Sequence, residues 1–153
     1  MANKVMIPGA HKSKGMQSGV PVYDEGTYVL SIQNVEMRET NAGTGQMLNI
    51  RSKIEDGPTQ QDGDEPRGSV FFDGIFIPNE DHPKFDEIIE MTSGRIKSLC
   101  DAAGVKIPKS DNVDFDQLVG ATIEVDLTVE LQENRNTGEM QPRNQVKAYR
   151  EAT

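Results

Sequence analysis

The chain has no tryptophan, one cysteine and two histidines among its 153 residues. Each shortage removes a class of explanation. A lone Cys100 excludes an internal disulfide and fits a reducing compartment. His11 lies near one end and His82 in a turn-rich stretch, so no Ser/His/Asp or Cys/His set is available for nucleophilic catalysis. Asp62-Gly63-Asp64-Glu65 lacks the alternating acids, central Gly and distal Glu of a calcium loop. There is no Gly-rich phosphate loop and no metal-ligand cluster, so neither an enzyme nor a bound cofactor is expected. No run of about 18 apolar residues exists, and the N-terminus has no apolar signal segment. A membrane span is therefore not expected, and the cytoplasm is the expected location. Five Phe and three Tyr are the only aromatics, which leaves the core to Val, Ile, Leu and Met.

What the chain has in surplus is negative charge, and that charge is local. The net is −9, yet residues 55–90 hold eleven acids against two bases. The remaining residues balance, with fourteen bases and fourteen acids. A separate positive surface is therefore compatible with an acidic protein. Residues 1–22 carry Lys4, Lys12 and Lys14 with no acid and read as a flexible basic arm. Residues 23–150 read as one folded domain.

The organising stretch is 26–55. Tyr28, Leu30 and Ile32 alternate with polar neighbours, and the apolar signal resumes at Val35 and Met37. That phase change after Gln33 predicts a bulge around Asn34, which bends the strand. Thr40–Gly45 is a small polar loop with two glycines, as a hairpin needs. In the returning arm Leu48, Ile50 and Ile54 share one face, and Asn49, Arg51 and Lys53 share the other. Residues 56–68 are a surface loop. Residues 69–78 form a third strand with apolar residues on both faces, kinked at Gly74 and ended by Pro78.

Residues 83–104 have helical apolar spacing, with an interruption expected at Ser93-Gly94 and a stop at Gly104. Cys100 falls on the apolar stripe as a buried small hydrophobe. A short helical turn follows at 114–118. Residues 120–131 alternate cleanly as a fourth strand, 132–143 read as a hairpin loop, and 144–149 as a fifth strand. The class is all-β with one helix. Five strands with the helix between the third and fourth is the order of an OB-fold barrel, which presents strands 2–3 and the 1–2 and 4–5 loops to oligonucleotides or oligosaccharides.

Those presenting elements carry bases and rings. They are Asn49, Arg51 and Lys53 on strand 2, Arg38 by the 1–2 loop, Arg135 and Arg143 in the 4–5 loop, and Lys147 and Tyr149 on strand 5. Strand 3 offers Phe71 or Phe72, together with Phe76. Phe71 and Phe76 are taken as the stacking pair, and which face of 69–78 points outward stays open. Cations neutralise phosphates while rings stack on any base, a combination that suits single strands. A structural or protein-interaction barrel, as a virion or assembly component without nucleic-acid activity, is the alternative.

Several stretches in order strengthen the first reading: Gly26-Thr27-Tyr28, Thr40 through Ile50, Ile96 through Gly104, Leu118-Val119-Gly120, Thr137-Gly138-Glu139 and Asn144 through Tyr149. With them the chain resembles a family of phage-encoded OB-fold single-stranded-DNA-binding proteins found near phage recombination and replication genes. The resemblance covers roughly residues 20–150. It implies sequence-independent, non-catalytic binding of single-stranded DNA in replication, recombination or repair, in the host cytoplasm. Replication or recombination proteins and further copies of the chain are the other partners it implies. Many replication-type single-strand binders end in an acidic tail, whereas this sequence ends Lys147-Ala148-Tyr149-Arg150-Glu151-Ala152-Thr153. The acidic 56–65 loop is then the expected place for partner recruitment.

Overall fold

A bent hairpin opens the fold, with β1 at Gly26–Glu39 and β2 at Gly45–Asp56. The computed structural model describes residues 3–8, 10–11, 21–133 and 137–152. The β1–β2 register slips between Ile32 and Asn34, which leaves Gln33 as the extra residue of a bulge. The slip has a simple cause. Tyr28, Leu30 and Ile32 point into the core, and only one inserted residue brings Val35 and Met37 into phase with Ile50 and Leu48.

β3 (Val70–Pro78) pairs with β2, β4 (Thr122–Glu133) with β1, and β5 (Met140–Glu151) with β4, all antiparallel. The sheet order is β3-β2-β1-β4-β5. Among the described residues no ladder joins β3 to β5, so the sheet is open and these two strands are its edges. Side chains nevertheless cross between the edges at two places. Tyr149 of β5 donates its hydroxyl proton to Asp73 of β3. Near the other end Tyr23 donates its hydroxyl to the Val70 carbonyl (2.7 Å), while its backbone exchanges two 2.8 Å hydrogen bonds with the Asn144 amide.

Helix α1 (Phe85–Ala103) follows β3 and packs on β3, β4 and β5. It runs unbroken through Ser93-Gly94, where the sequence predicts an interruption. Gly94 faces open space there, so it costs the helix only its intrinsic propensity, about 1 kcal/mol relative to Ala. Buried Thr92 donates to the Phe76 carbonyl at 2.7 Å, satisfying a β3 group that has no neighbouring strand on its free edge. Gly104 ends the helix at φ 75°, and the Val105 amide reaches back to the Cys100 carbonyl at 2.8 Å. A 3₁₀ turn at Phe115–Leu118 precedes β4.

The core gathers inward faces from the whole sheet, with Leu99 and Cys100 from the helix. Cys100 is fully buried, and that burial pushes its thiol pKa up, which fits a packing role. Tyr28 is also fully buried. It donates to the Asp24 carbonyl at 2.6 Å and accepts from Gln60 Nε2 at 2.9 Å, which ties the acidic loop after β2 to the core.

The β4–β5 ribbon is longer than expected. The polar stretch 132–143 does not form one loop, because β4 continues to Glu133 and β5 begins at Met140. The ribbon is held by backbone pairing, and its Leu131 and Met140 are exposed. Pro142 is tolerated because β5 is an edge strand. No helix among the described residues is long and apolar enough to cross a membrane. Of the basic arm, Lys4 is described and exposed, while Lys12 and Lys14 lie outside the described residues.

Candidate nucleic-acid interface

Register decides which side chains share a surface, since directly paired residues project to the same side of a sheet. Four rows cross β1, β2 and β3 on the outward side: Arg38–Met47–Phe76, Glu36–Asn49–Gly74, Asn34–Arg51–Phe72 and Ser31–Lys53–Val70. Arg51 and Lys53 are exposed and have no ion-pair partner among the described residues. Phe72, beside Arg51, is 50 % exposed. A large ring half in water at the middle of a paired strand has no packing reason to be there.

Phe76 lies four residues along β3 from Phe72, about 13 Å at strand rise. Its ring is steadied by an edge contact with His82, the centroids 5.9 Å apart. Gly45 lies directly beneath it, where a Cβ would fall 2.8 Å from the ring and 2.4 Å from the Ile77 carbonyl oxygen. Between the rings, Gly74 leaves a shallow floor edged by Met47 and Asn49. The β1–β2 loop is pinned beside this surface, with the Asn79 amide on the Thr44 carbonyl at 2.9 Å and the Asn79 side chain on the Gly43 carbonyl at 3.1 Å.

Arg38 meets Glu36 at 3.0 Å, both well exposed. Such a surface pair contributes at most about 1 kcal/mol, so it holds the Arg38 side chain only weakly. The outward face of β1–β3 thus carries Arg38, Arg51 and Lys53 against Glu36, Glu55 and Asp56, the last paired with Val29. In a chain of net charge −9 that face is locally balanced, with Arg51 and Lys53 on the rows that cross to β3.

The other expected site residues are placed differently. Phe71 is 3 % exposed, pairs with Ser52 on the inward face and packs its ring against Tyr23. It belongs to the core, and Phe72 takes the outward position. Phe71 and Phe76 differ in parity, so no regular strand presents both to one ligand. Tyr149 pairs with Val125 and turns inward, where it meets Asp73 and receives an Arg95 Nη2 hydrogen bond at 3.1 Å. Burial and the adjacent Asp73 carboxylate push its phenol pKa far above the ordinary value. Tyr23 and Tyr28 are buried as well, so no described tyrosine stands on the outward face of β1–β3.

Arg143 pairs across the ribbon with Glu130, on β5 rather than in a loop. Lys147 is the extra residue where the β4–β5 register slips at Asp126. Both lie three strands from β2 in ladder order and do not join the β2–β3 rows through that ladder. Arg135 lies outside the described residues.

Arg150, also on β5, is held by its neighbours. Its Nε meets Glu124 at 2.9 Å, and its two terminal nitrogens meet both Asp126 oxygens at 2.7 Å. With Thr27 donating too, Asp126 is pulled down to a pKa of about 2. A carboxylate depressed in the folded state stabilises above its ordinary pKa of 3.8 and loses that contribution as pH falls through about 2. Arg150→Met should therefore lower the melting temperature near neutral pH, with the difference from wild type shrinking between pH 4 and pH 2. A difference that stays constant over that window in thermal melts contradicts the assignment.

Phe72, Met47, Gly45 and His82 complete the surface, and of these only Phe72 is a candidate from the sequence. Residues 11–153 match the family described as Protein of unknown function (DUF669). No curated protein matches the chain.

Proposed function

The chain belongs to the DUF669 family, whose description gives no activity, and from the geometry we propose that it binds single-stranded DNA on the outward face of β2 and β3. The observation that carries this reading is the row Asn34–Arg51–Phe72, in which a guanidinium with no ion-pair partner among the described residues stands beside a half-exposed ring. Lys53 extends the positive charge along β2, and Phe76 supplies a second ring. A phosphate backbone tracks the cations, and bases lie on the rings. Phosphate contacts and stacking of this kind do not depend on base identity, which favours sequence-independent binding.

The fold reading goes with it. The order β3-β2-β1-β4-β5, with the helix after β3, is that of an OB barrel cut between β3 and β5. The Tyr149–Asp73 and Tyr23–Val70 bonds span that cut. In this reading the protein covers single strands during phage replication, recombination or repair in the host cytoplasm, without catalysis.

Anisotropy titrations of labelled oligo-dT and of a matched duplex, at several salt concentrations, test the proposal. Tighter binding of the single strand is expected. Neutralising about three phosphates, through Arg38, Arg51 and Lys53, gives a log–log salt slope of about −2. No binding at low salt, or a preference for the duplex, overturns it and favours a protein-interaction barrel.

A further inference from the structure

A second surface is apolar and unrelated to the outward face of β2–β3. Between α1 and the connector after it runs a groove of about 1000 Å³. Ile77, Phe85, Ile89, Ile96, Ile107 and Phe115 line it. All six are only half-buried, so the groove shows apolar surface that the fold itself does not cover. Its volume is at the upper end of what ligand pockets reach, and it is open, with room for a few residues of extended chain.

The same chain carries a segment that matches it. Val5, Met6 and Ile7 are consecutive and 81 %, 86 % and 67 % exposed. These three adjacent apolar side chains stand in water and have no packing partner among the described residues. Charge agrees with the pairing. Residues 1–23 have three lysines and no acid, whereas Glu80 and Asp111 line the groove against Lys97, and the stretch of chain that forms its wall holds Asp81, Asp86, Glu87 and Glu90 against Lys84 and Arg95, a net acidic balance.

We infer that residues Val5–Ile7 of one copy dock in the α1 groove of a second copy. Pro21 lies fourteen positions after Ile7, a reach of up to about 50 Å. A domain of this size has a radius of gyration of about 14 Å, so the arm is long enough to leave its own domain and reach the next. Arm into groove is a heterologous contact, and one that does not close into a ring propagates into an open row of copies.

Light scattering of the full chain without DNA decides the matter, so its outcome is independent of the DNA-binding reading. Wild type should exceed the monomer mass of 16.9 kDa progressively as concentration rises. The triple variant Val5→Ser, Met6→Ser, Ile7→Ser, altered only at exposed positions, should stay at that mass throughout. Ile89→Glu should also be monomeric. A mixture of the two variants restores one arm and one groove, and should give a species of twice the monomer mass and nothing larger. A monomeric wild type overturns the inference, including one whose arm is protected from trypsin in a concentration-independent way, as docking within one copy requires. An arm triple variant that assembles like wild type overturns it equally, and that part of the test stands even if Ile89→Glu fails to fold.

Discussion

Phe72→Ala should weaken binding of oligo-dT by about 5- to 150-fold, the factor that corresponds to the 1–3 kcal/mol of one stacked base. The fold should tolerate the change, because the ring is half in water and on the side of the sheet away from the core. Phe71→Ala is the matched contrast. It removes a fully packed ring of the same size one residue away and should cost about 3–5 kcal/mol of stability. Folded Phe71→Ala protein should still bind. Arg51→Ala with Lys53→Ala should act through charge: affinity falls for every sequence alike, and the salt slope becomes shallower by about 1.4. Rings and cations are thereby separated, since Phe72→Ala should leave the slope unchanged. Wild-type affinity in both variants would remove the β2–β3 face from consideration.

These two phenylalanines also show where sequence reading stops. The hairpin was legible because its alternation has one answer: Leu48, Ile50 and Ile54 lie inside, and Asn49, Arg51 and Lys53 outside. Even the bulge at Gln33 left a trace, as a change of phase. In 70–77 both parities are apolar, so periodicity does not choose between Phe71 and Phe72. What decides is Tyr23, from the segment before β1, whose ring occupies the inward side next to Phe71. The β4–β5 ribbon was hidden for a different reason. Backbone pairing needs no side-chain pattern, so a polar stretch such as 137–143 leaves no signature of its extension. The apolar signal, by contrast, was strong enough to place α1, although Gly94 suggested a break that exposure makes harmless.

Asp73 is the residue whose meaning changes most between sequence and structure, and Asp73→Ala should be the most damaging change among the polar residues. In the sequence it is a lone strand carboxylate beside a glycine, without a partner that would give it a catalytic role. In the fold it accepts from Tyr149, 76 residues later, and from Arg95 at 3.2 Å. It thereby joins both sheet edges and the helix at the one seam that has no ladder. Removing it leaves the Tyr149 hydroxyl without its acceptor and Arg95, whose Nε already has no partner among the described residues, without its counter-charge. A hydrogen bond to a charged group contributes about 1.5–3 kcal/mol, and two are lost here. Arg95 keeps about a third of its side-chain surface in water, which discounts its share, so the expected loss is about 2–4 kcal/mol. At this chain length that is a drop in melting temperature of roughly 5–15 °C. Tyr149→Phe, which keeps the Asp73–Arg95 pair, should cost about 1 kcal/mol. Asp73→Asn, which keeps an acceptor for the phenol, should fall between the two. If Asp73 couples the edges, hydrogen exchange in Asp73→Ala should rise first in β3 and in β5 around Tyr149, and least in the β1–β2 hairpin. Uniform acceleration across all five strands would mean that the seam is no weaker than the rest of the sheet, and the clamp would lose its role.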